Sequence, residues 1–397
     1  MIEQHPLEGF WQLEAKNVQG IEKALDALRR GYGSAAAAKE GHAGTRNSVA
    51  NLVIYASSDQ DAEEATATMT SLAGAHPART ILLIADLVPD EPDVSASVSA
   101  ACHMADGGQR ICYEEIRLRA RGRSGPHLRS IIEPLLIADL PVFLWWTGDP
   151  PFRDEVFLTL ARLSDHIVID SAQFHAVGAT LARLGRLIAD ASVSASVRDL
   201  NWQRLTSWRE LLAQLFDAPE TAALLPSVRR LRIERAAREE GAQSNPAQSL
   251  LLAGWLAARL DWETDKGAER TYGGAYRIRL RSRGREVLLD LRPEFHRDAR
   301  PGDIQSVQLE IEESDQNSVF TITHAEDQEH AYTSVILAGA PPQERSVSFR
   351  IPANAELLGG ELEVQDRDPA FEDAAGVAGR IAALLPMDGQ PAPRPLP

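Results

Sequence analysis

Short apolar runs recur between Asn51 and Asp170, separated by amphipathic stretches of helical length. Asn51–Ala56, Thr80–Ala85 and His166–Asp170 read as strands, and Val142–Trp146, a short apolar, β-branched and aromatic run, reads as an interior strand. Ser57-Ser58-Asp59 opens a helix whose carboxylates Asp61, Glu63 and Glu64 suit the positive end of its dipole. Further helices are predicted over Leu128–Ile137, Arg153–Leu163 and Ala176–Asp190. Two longer strands, Val94–Met104 and Arg110–Arg121, flank the turn Asp106-Gly107-Gly108 and predict a hairpin. This alternation predicts a Rossmann-like α/β domain over 48–195, with a largely parallel sheet.

The pattern changes after Ala191-Ser192-Val193-Ser194-Ala195-Ser196. A helix over Trp202–Leu215 keeps Leu205, Trp208, Leu212 and Leu215 on one side. Seven strands then follow with mostly short loops: Ser227–Arg235, Ala275–Arg283, Val287–Leu291, Ser306–Glu312, Ser318–Thr323, Ala331–Leu337 and Val347–Arg350. They are interrupted by a helix at Pro246–Leu260 and closed by one at Asp373–Leu385. Clustered strands with few helices predict an α+β domain over 196–387 with a mainly antiparallel sheet. Residues 1–47 read as an N-terminal helix around Ile21, Leu25 and Leu28 plus a Gly/Ala-rich linker, and 388–397 as a flexible Pro-rich tail.

The 397 residues are enough for two cores, and their net charge of −16 repels nucleic acid. No apolar run approaches the ~18 residues of a spanning helix, and Met1-Ile2-Glu3-Gln4-His5 has no positive region followed by an apolar one. Two cysteines in so long a chain suit a reducing compartment. The expectation is a cytoplasmic protein that contacts neither membrane nor nucleic acid.

Motifs of catalysis are missing from the sequence. It contains no G-x-G-x-x-G, no P-loop, no G-x-S-x-G elbow and no H-x-x-x-H. Glu114 and Glu115 are adjacent in a strand and face opposite ways, a poor arrangement for shared acid–base work. No cofactor and no metal are expected, and no catalytic residue is assigned.

Two features could carry binding, and a third could carry redox control. The first is the end of the tryptophan strand, where Trp145 and Trp146 must face opposite layers and Gly148-Asp149-Pro150-Pro151 forms a turn. Strand C-termini of open α/β sheets are where ligands sit, and tryptophan is enriched at interface hot spots, yet both rings would equally serve a buried strand. The second is the odd-numbered face of the strand 112–121, where Arg117, Arg119 and Arg121 form a guanidinium ladder. Such a ladder fits an acidic surface or a phosphorylated ligand, or else neighbouring carboxylates of the same chain. In the second domain, Arg277, Arg279, Arg281 and Arg283 alternate in the same way and predict cross-strand ion pairs. The third is Cys102 and Cys112, equidistant from Gly107 and directly opposite one another if the hairpin loop has three residues. That spacing permits a reversible redox pair as well as two reduced thiols.

Leu135-Leu136-Ile137-Ala138-Asp139-Leu140-Pro141, the tryptophan strand and Pro150-Pro151-Phe152 together resemble the signature of the OpcA family, the glucose-6-phosphate dehydrogenase assembly proteins. Asn51–Ala56, Cys112–Leu118, Asp199-Leu200-Asn201-Trp202 and Leu205-Thr206-Ser207-Trp208-Arg209 fit the same family in the same order. The resemblance implies a noncatalytic protein that binds glucose-6-phosphate dehydrogenase and promotes its active oligomer as an allosteric activator in the pentose phosphate pathway. It further implies control by thiol redox state among relatives. The competing reading is a phosphosugar- or nucleotide-binding enzyme or sensor that uses the 145–151 loop.

Overall fold

The computed structural model describes residues 3–4, 10–15, 20–27, 48–72, 75–86, 93–104, 110–121, 127–190, 193–239, 243–313, 316–364 and 366–386. Elements are numbered in chain order. By contacts the chain forms two units, residues 1–170 with 192–198 and 353–367, and residues 171–191 with 199–352 and 368–397. A single cut near 195, as the sequence suggested, does not follow these contacts, because segments distant in sequence complete each core.

The first unit is built on a nine-stranded sheet in the order β1-β2-β5-β6-β4-β3-β7-β8-β9. Its centre is β3 (Ala50–Ala56), β4 (Ala78–Asp86) and β7 (Val142–Trp146), which run parallel to one another. β6 (Arg110–Arg121) joins β4 in parallel, and β8 (His166–Ile169) joins β7 likewise. Ile81, Leu82, Leu83, Phe143 and Leu144 have no exposed surface, as expected of strands covered on both faces. β5 (Asp93–Met104) pairs antiparallel with β6 and lets the chain turn back without a crossover helix.

Two strands in the N-terminal segment escaped the sequence pattern, β1 (Glu3–Gln4) and β2 (Phe10–Ala15). β2 pairs antiparallel with residues 96–101 of β5, so residues 10–15, which the sequence placed with a helix and linker, extend the sheet. The helix over 20–27, α1, buries Ile21, Ala24 and Leu25. The Gly/Ala-rich linker and the turn at Asp106–Gly108 lie outside the described residues.

After β3, α2 (Asp59–Leu72) buries Ala62, Ala65, Met69 and Leu72, a helical stripe of small and apolar side chains. The helix expected over 128–137 is shorter: α3 (Leu128–Ile132) tightens into a 3₁₀ turn at Glu133–Leu135, where Pro134 withholds a backbone donor. The loop from there to β7 is held by Asn51, whose Nδ2 donates to the carbonyls of Ile137 (2.9 Å) and Leu140 (3.3 Å). Its Oδ1 accepts the Ile137 amide at 2.7 Å. α4 (Glu155–Arg162) starts where Asp154 accepts the Val156 amide at 2.8 Å. β9 (Ser196–Asp199) and α10 (Asn354–Glu363) complete this unit and were both unread in the sequence.

In the second unit an eight-stranded sheet has the order β11-β12-β13-β10-β14-β15-β16-β17. Its members are β10 (Val228–Ala237), β11 (Glu263–Arg270), β12 (Tyr276–Ser282), β13 (Arg285–Phe295), β14 (Ile304–Glu313), β15 (Gln316–His324), β16 (His330–Ile336) and β17 (Gln343–Ser348). Every neighbouring pair is antiparallel except β10 and β13. One face buries Leu231, Ile233, Leu289, Leu291 and Leu309. The other carries the cross-strand ion pairs that alternation requires, Arg277 to Asp290 at 3.1 Å, Arg281 to Asp265 at 3.0 Å and Arg230 to Glu310 at 3.1 Å.

The helix expected over 202–215 is two helices, α6 (Leu200–Arg204) and α7 (Thr206–Leu215). The Leu205 amide bonds the Trp202 carbonyl at 3.1 Å, a tightened turn that breaks the α register. Asp199 accepts the amides of Asn201 and Ser171, both at 2.9 Å, and so caps α6 while fixing an adjacent 3₁₀ turn. Trp202 donates to Asp368 Oδ2 at 2.8 Å, and the Arg209 guanidinium lies 3.7 Å from its ring centroid. The unit's remaining helices are α5 (Val177–Ile188), α8 (Pro219–Ala222), α9 (Ala247–Arg259) and α11 (Pro369–Ala382).

Among the described residues, each unit buries one neutral histidine. His166 stacks on Phe143 at 4.5 Å and shares a 2.7 Å hydrogen bond with the Ser196 hydroxyl; burial, then the charge of Arg198, holds its pKa below 6.5. Burial likewise lowers that of His324, which lies 4.7 Å from Phe349. The unfolded chain therefore takes up these protons first. Stability is expected to fall as the pH drops from the unfolded value of 6.5 through the lower folded values. Urea unfolding of His324→Leu should show a flatter pH dependence over that interval than the parent, and equal slopes would contradict the assignment.

Candidate functional site

The chain leaves β3 towards β4 on one side and later places β7 on the other, so the direction of strand order reverses between β3 and β7. In open α/β sheets the crevice beyond the carboxyl ends of such a strand pair is the usual ligand site. Here it is bounded by Ala56-Ser57-Ser58 and by Thr147–Pro151.

Aromatic rings cluster at the two strand ends beneath that position. Tyr55 and Trp146 are register partners, and their rings stack with centroids 3.7 Å apart and planes 8° from parallel. Phe157 of α4 meets Trp146 edge-on at 5.2 Å, and Phe152 meets Phe157 in the same way at 5.2 Å. The Thr147 amide and hydroxyl both donate to the Tyr55 carbonyl, at 3.1 and 3.0 Å, and tie the two strand ends together. Burial, followed by the nearby Asp154, raises the Tyr55 pKa above 10.0, so its phenol stays neutral.

The start of α2 is itself occupied. Its amides could receive a phosphate, but Ser58 Oγ already accepts the Asp61 amide at 3.1 Å, and the Ser57 hydroxyl donates to Asp61 Oδ2 at 2.7 Å. Asp59 is ion-paired to Arg119. A pyrophosphate approaching this helix would meet two carboxylates and a loop without glycine.

The predicted site residues separate accordingly. Trp145 and Trp146 face opposite layers, as a strand requires, and both are buried, at 6 % and 2 % exposure. Trp145 Nε1 is buried without a hydrogen-bond partner. Pro150 is buried, Gly148 and Asp149 are half-buried, and Gly148 takes the left-handed conformation at φ +68°. Arg117 donates to Glu115 Oε1 (3.2 Å) and to the Thr66 hydroxyl (3.0 Å), so with Arg119 it engages carboxylates of its own chain. Burial raises the pKa of Glu115 above 4.5, with Arg117 opposing the shift. Arg121 sits in register with Asp86 and Asp93. β4 and β3 intervene between β6 and β7, which puts the ladder about 14 Å from the tryptophan strand at ordinary strand spacing. Cys102 and Cys112 are register partners in the β5–β6 ladder. Sequence reasoning missed Tyr55 and Phe157. Only their place at a strand end and on the following helix, seen in three dimensions, marks them.

Among the described residues no group of three or more His, Cys, Asp or Glu side chains could hold a metal ion, and no helix is long and apolar enough to cross a membrane.

Residues 69–186 match the family model described as glucose-6-phosphate dehydrogenase subunit N-terminal domain, and residues 195–375 match the corresponding C-terminal domain. Among curated proteins, "Putative OxPP cycle protein OpcA" of Nostoc punctiforme is 36 % identical over 190 residues, covering 47 % of this chain and 39 % of that protein. The protein of the same name from Synechococcus elongatus is 35 % identical over 210 residues, covering 52 % and 44 %. The matches thus span about two-fifths of those relatives' own length. Among solved structures, an oxidoreductase from Sinorhizobium meliloti aligns at 11 % identity and TM-score 0.44, over 84 % of this chain and 89 % of that one. An oxidoreductase domain protein from Kribbella flavida aligns at 13 % identity and TM-score 0.38, over 85 % and 96 %.

Proposed function

The chain belongs to the OpcA family of glucose-6-phosphate dehydrogenase subunits, and we propose that it is a noncatalytic cytoplasmic protein that binds glucose-6-phosphate dehydrogenase and favours its active oligomer. The observation that carries this reading is the match to both domains of that subunit, in order, over most of residues 69–375. Supporting it, the β3–β7 reversal is flanked by the enclosed Tyr55–Trp146 stack and by Asp59 and Asp61, which disfavours the competing reading of a nucleotide or phosphosugar held there. Binding is assigned to the outer part of the Gly148–Pro151 turn, since the two tryptophans beneath it are enclosed.

Activation requires tighter binding to the active form of the enzyme than to the inactive one. A coupling of ~1–3 kcal/mol shifts the populations ~5–150-fold. Mixed at micromolar concentration, this chain and the dehydrogenase from the same cell should co-elute, and the enzyme's rate should rise. Asp149→Lys should weaken the complex about 10-fold. Absence of co-elution together with unaltered kinetics would refute the reading, and full affinity in Asp149→Lys would remove the turn from the interface.

A further inference from the structure

In the second unit a cavity of about 840 Å³ opens between the first turn of α5, residues 243–246, Tyr276 and the last turn of α11. Its size suits a small organic ligand. α5 has twelve residues and its N-cap, Ala176, has no side chain to accept a bond, so the amides of Val177, Gly178 and Ala179 meet the cavity at the positive end of the dipole. Arg183 and Arg186 line the same wall. Among the described lining residues there is no carboxylate side chain, in a chain of net charge −16.

A second, independent observation comes from β10. Arg235 has no exposed surface; its Nε donates to the Ser244 carbonyl at 3.3 Å, while Nη1 and Nη2 have no hydrogen-bond partner. Ile233 is in register with Leu291 and Leu291 with Tyr276, so Arg235, two residues on, shares the sheet face of Tyr276. Ser244 and Tyr276 both line the cavity, and Arg235, which does not line it, lies behind Ser244 through that bond. Burial lowers the pKa of Arg235 to about 10, which leaves it charged at neutral pH. A buried cation without a counter-charge is costly, and an anion in the cavity would offset that cost.

We propose that this cavity binds a small phosphorylated metabolite. The phosphoryl group sits at the amides of Val177–Ala179, flanked by Arg183 and Arg186, with Arg235 supplying charge from behind Ser244. Phe174, Val177, Ala182 and Leu385 leave apolar wall for the organic part, more room than free phosphate needs. The site is separate from the β3–β7 crevice and does not depend on the dehydrogenase partnership.

Calorimetry on the full chain tests this with inorganic phosphate, glucose 6-phosphate as the phosphomonoester, and glucose. Glucose 6-phosphate should bind about 10-fold or more tightly than phosphate, and glucose should give no heat. The exposed double variant Arg183→Ala/Arg186→Ala should bind the ester about 10-fold or more weakly at an unchanged unfolding midpoint. Arg235→Met should lose affinity likewise without becoming less stable, because it removes an unpaired buried charge. No heat from either phosphate-bearing probe at millimolar concentration, equal affinity for phosphate and its ester, or full affinity in the double variant would each overturn the proposal.

Discussion

Gly254→Ala should destabilise the protein by about 1–3 kcal/mol, although an alanine in a helix interior ordinarily gains close to 1 kcal/mol over glycine. Gly254 lies in α9 where α11 crosses it. A Cβ there would stand 2.8 Å from the Ala378 amide nitrogen and 2.9 Å from its Cβ, and closer still to the Ala374 carbonyl oxygen. Two of these neighbours are backbone atoms, which cannot rotate away, so the helices must separate and open their shared seam. Gly360 in α10 is the internal control: it is exposed and a Cβ added there meets nothing within 4 Å. Gly360→Ala should stabilise by about 0.5–1 kcal/mol. Urea unfolding reads both, and a stabilising Gly254→Ala would mean that α9 and α11 are not in contact at this position.

The same seam shows where local sequence pattern stops being informative. α9 and the predicted strands of both sheets were legible, because burial on one or both faces leaves a period in the sequence. Which helices pack together was not legible. Gly185 of α5 approaches Gly379 of α11, a contact across almost two hundred residues that hydrophobic period does not encode. β11, Glu263–Arg270, went unread because it is an edge strand rich in charge, with a register shift between Thr264 and Ala268. α10 went unread because its glycines at 359 and 360 argue against a helix, yet Gly359 is needed where His76 crowds it.

At the candidate site the sequence supplied the strand, the turn and the opposed tryptophans. It left open whether the rings face a partner or the core. The answer lay in the register that sets Tyr55 beside Trp146, a pairing between segments about ninety residues apart. Arginine alternation in β6 was visible, whereas its partners Asp59 and Thr66 come from α2, which one strand's pattern cannot reveal.

Glu361→Leu should cost about 3–5 kcal/mol, the largest loss expected from a single polar substitution in the first unit. Glu361 of α10 accepts from Arg198 of β9 at 2.9 Å, and their side chains are 2 % and 5 % exposed. Arg198 also donates to the Asp366 carbonyl at 2.7 Å. Removing the carboxylate strands a guanidinium in the interior and loosens α10 from the strand that holds it. The pair is itself imperfect, since Glu361 Oε1 and Arg198 Nε are buried without partners, so it recovers only part of the cost of desolvating two charges. Arg198→Met/Glu361→Leu should therefore regain most of the lost stability, and the double-mutant cycle should show a favourable coupling. His166 gives a second readout. Arg198 helps to lower its pKa, so in Arg198→Met the His166 titration followed by NMR should move up towards 6.5, while burial still holds it below that value. A double variant no more stable than Glu361→Leu, with an unmoved His166 titration, would show that Arg198 acts through packing and not through its charge.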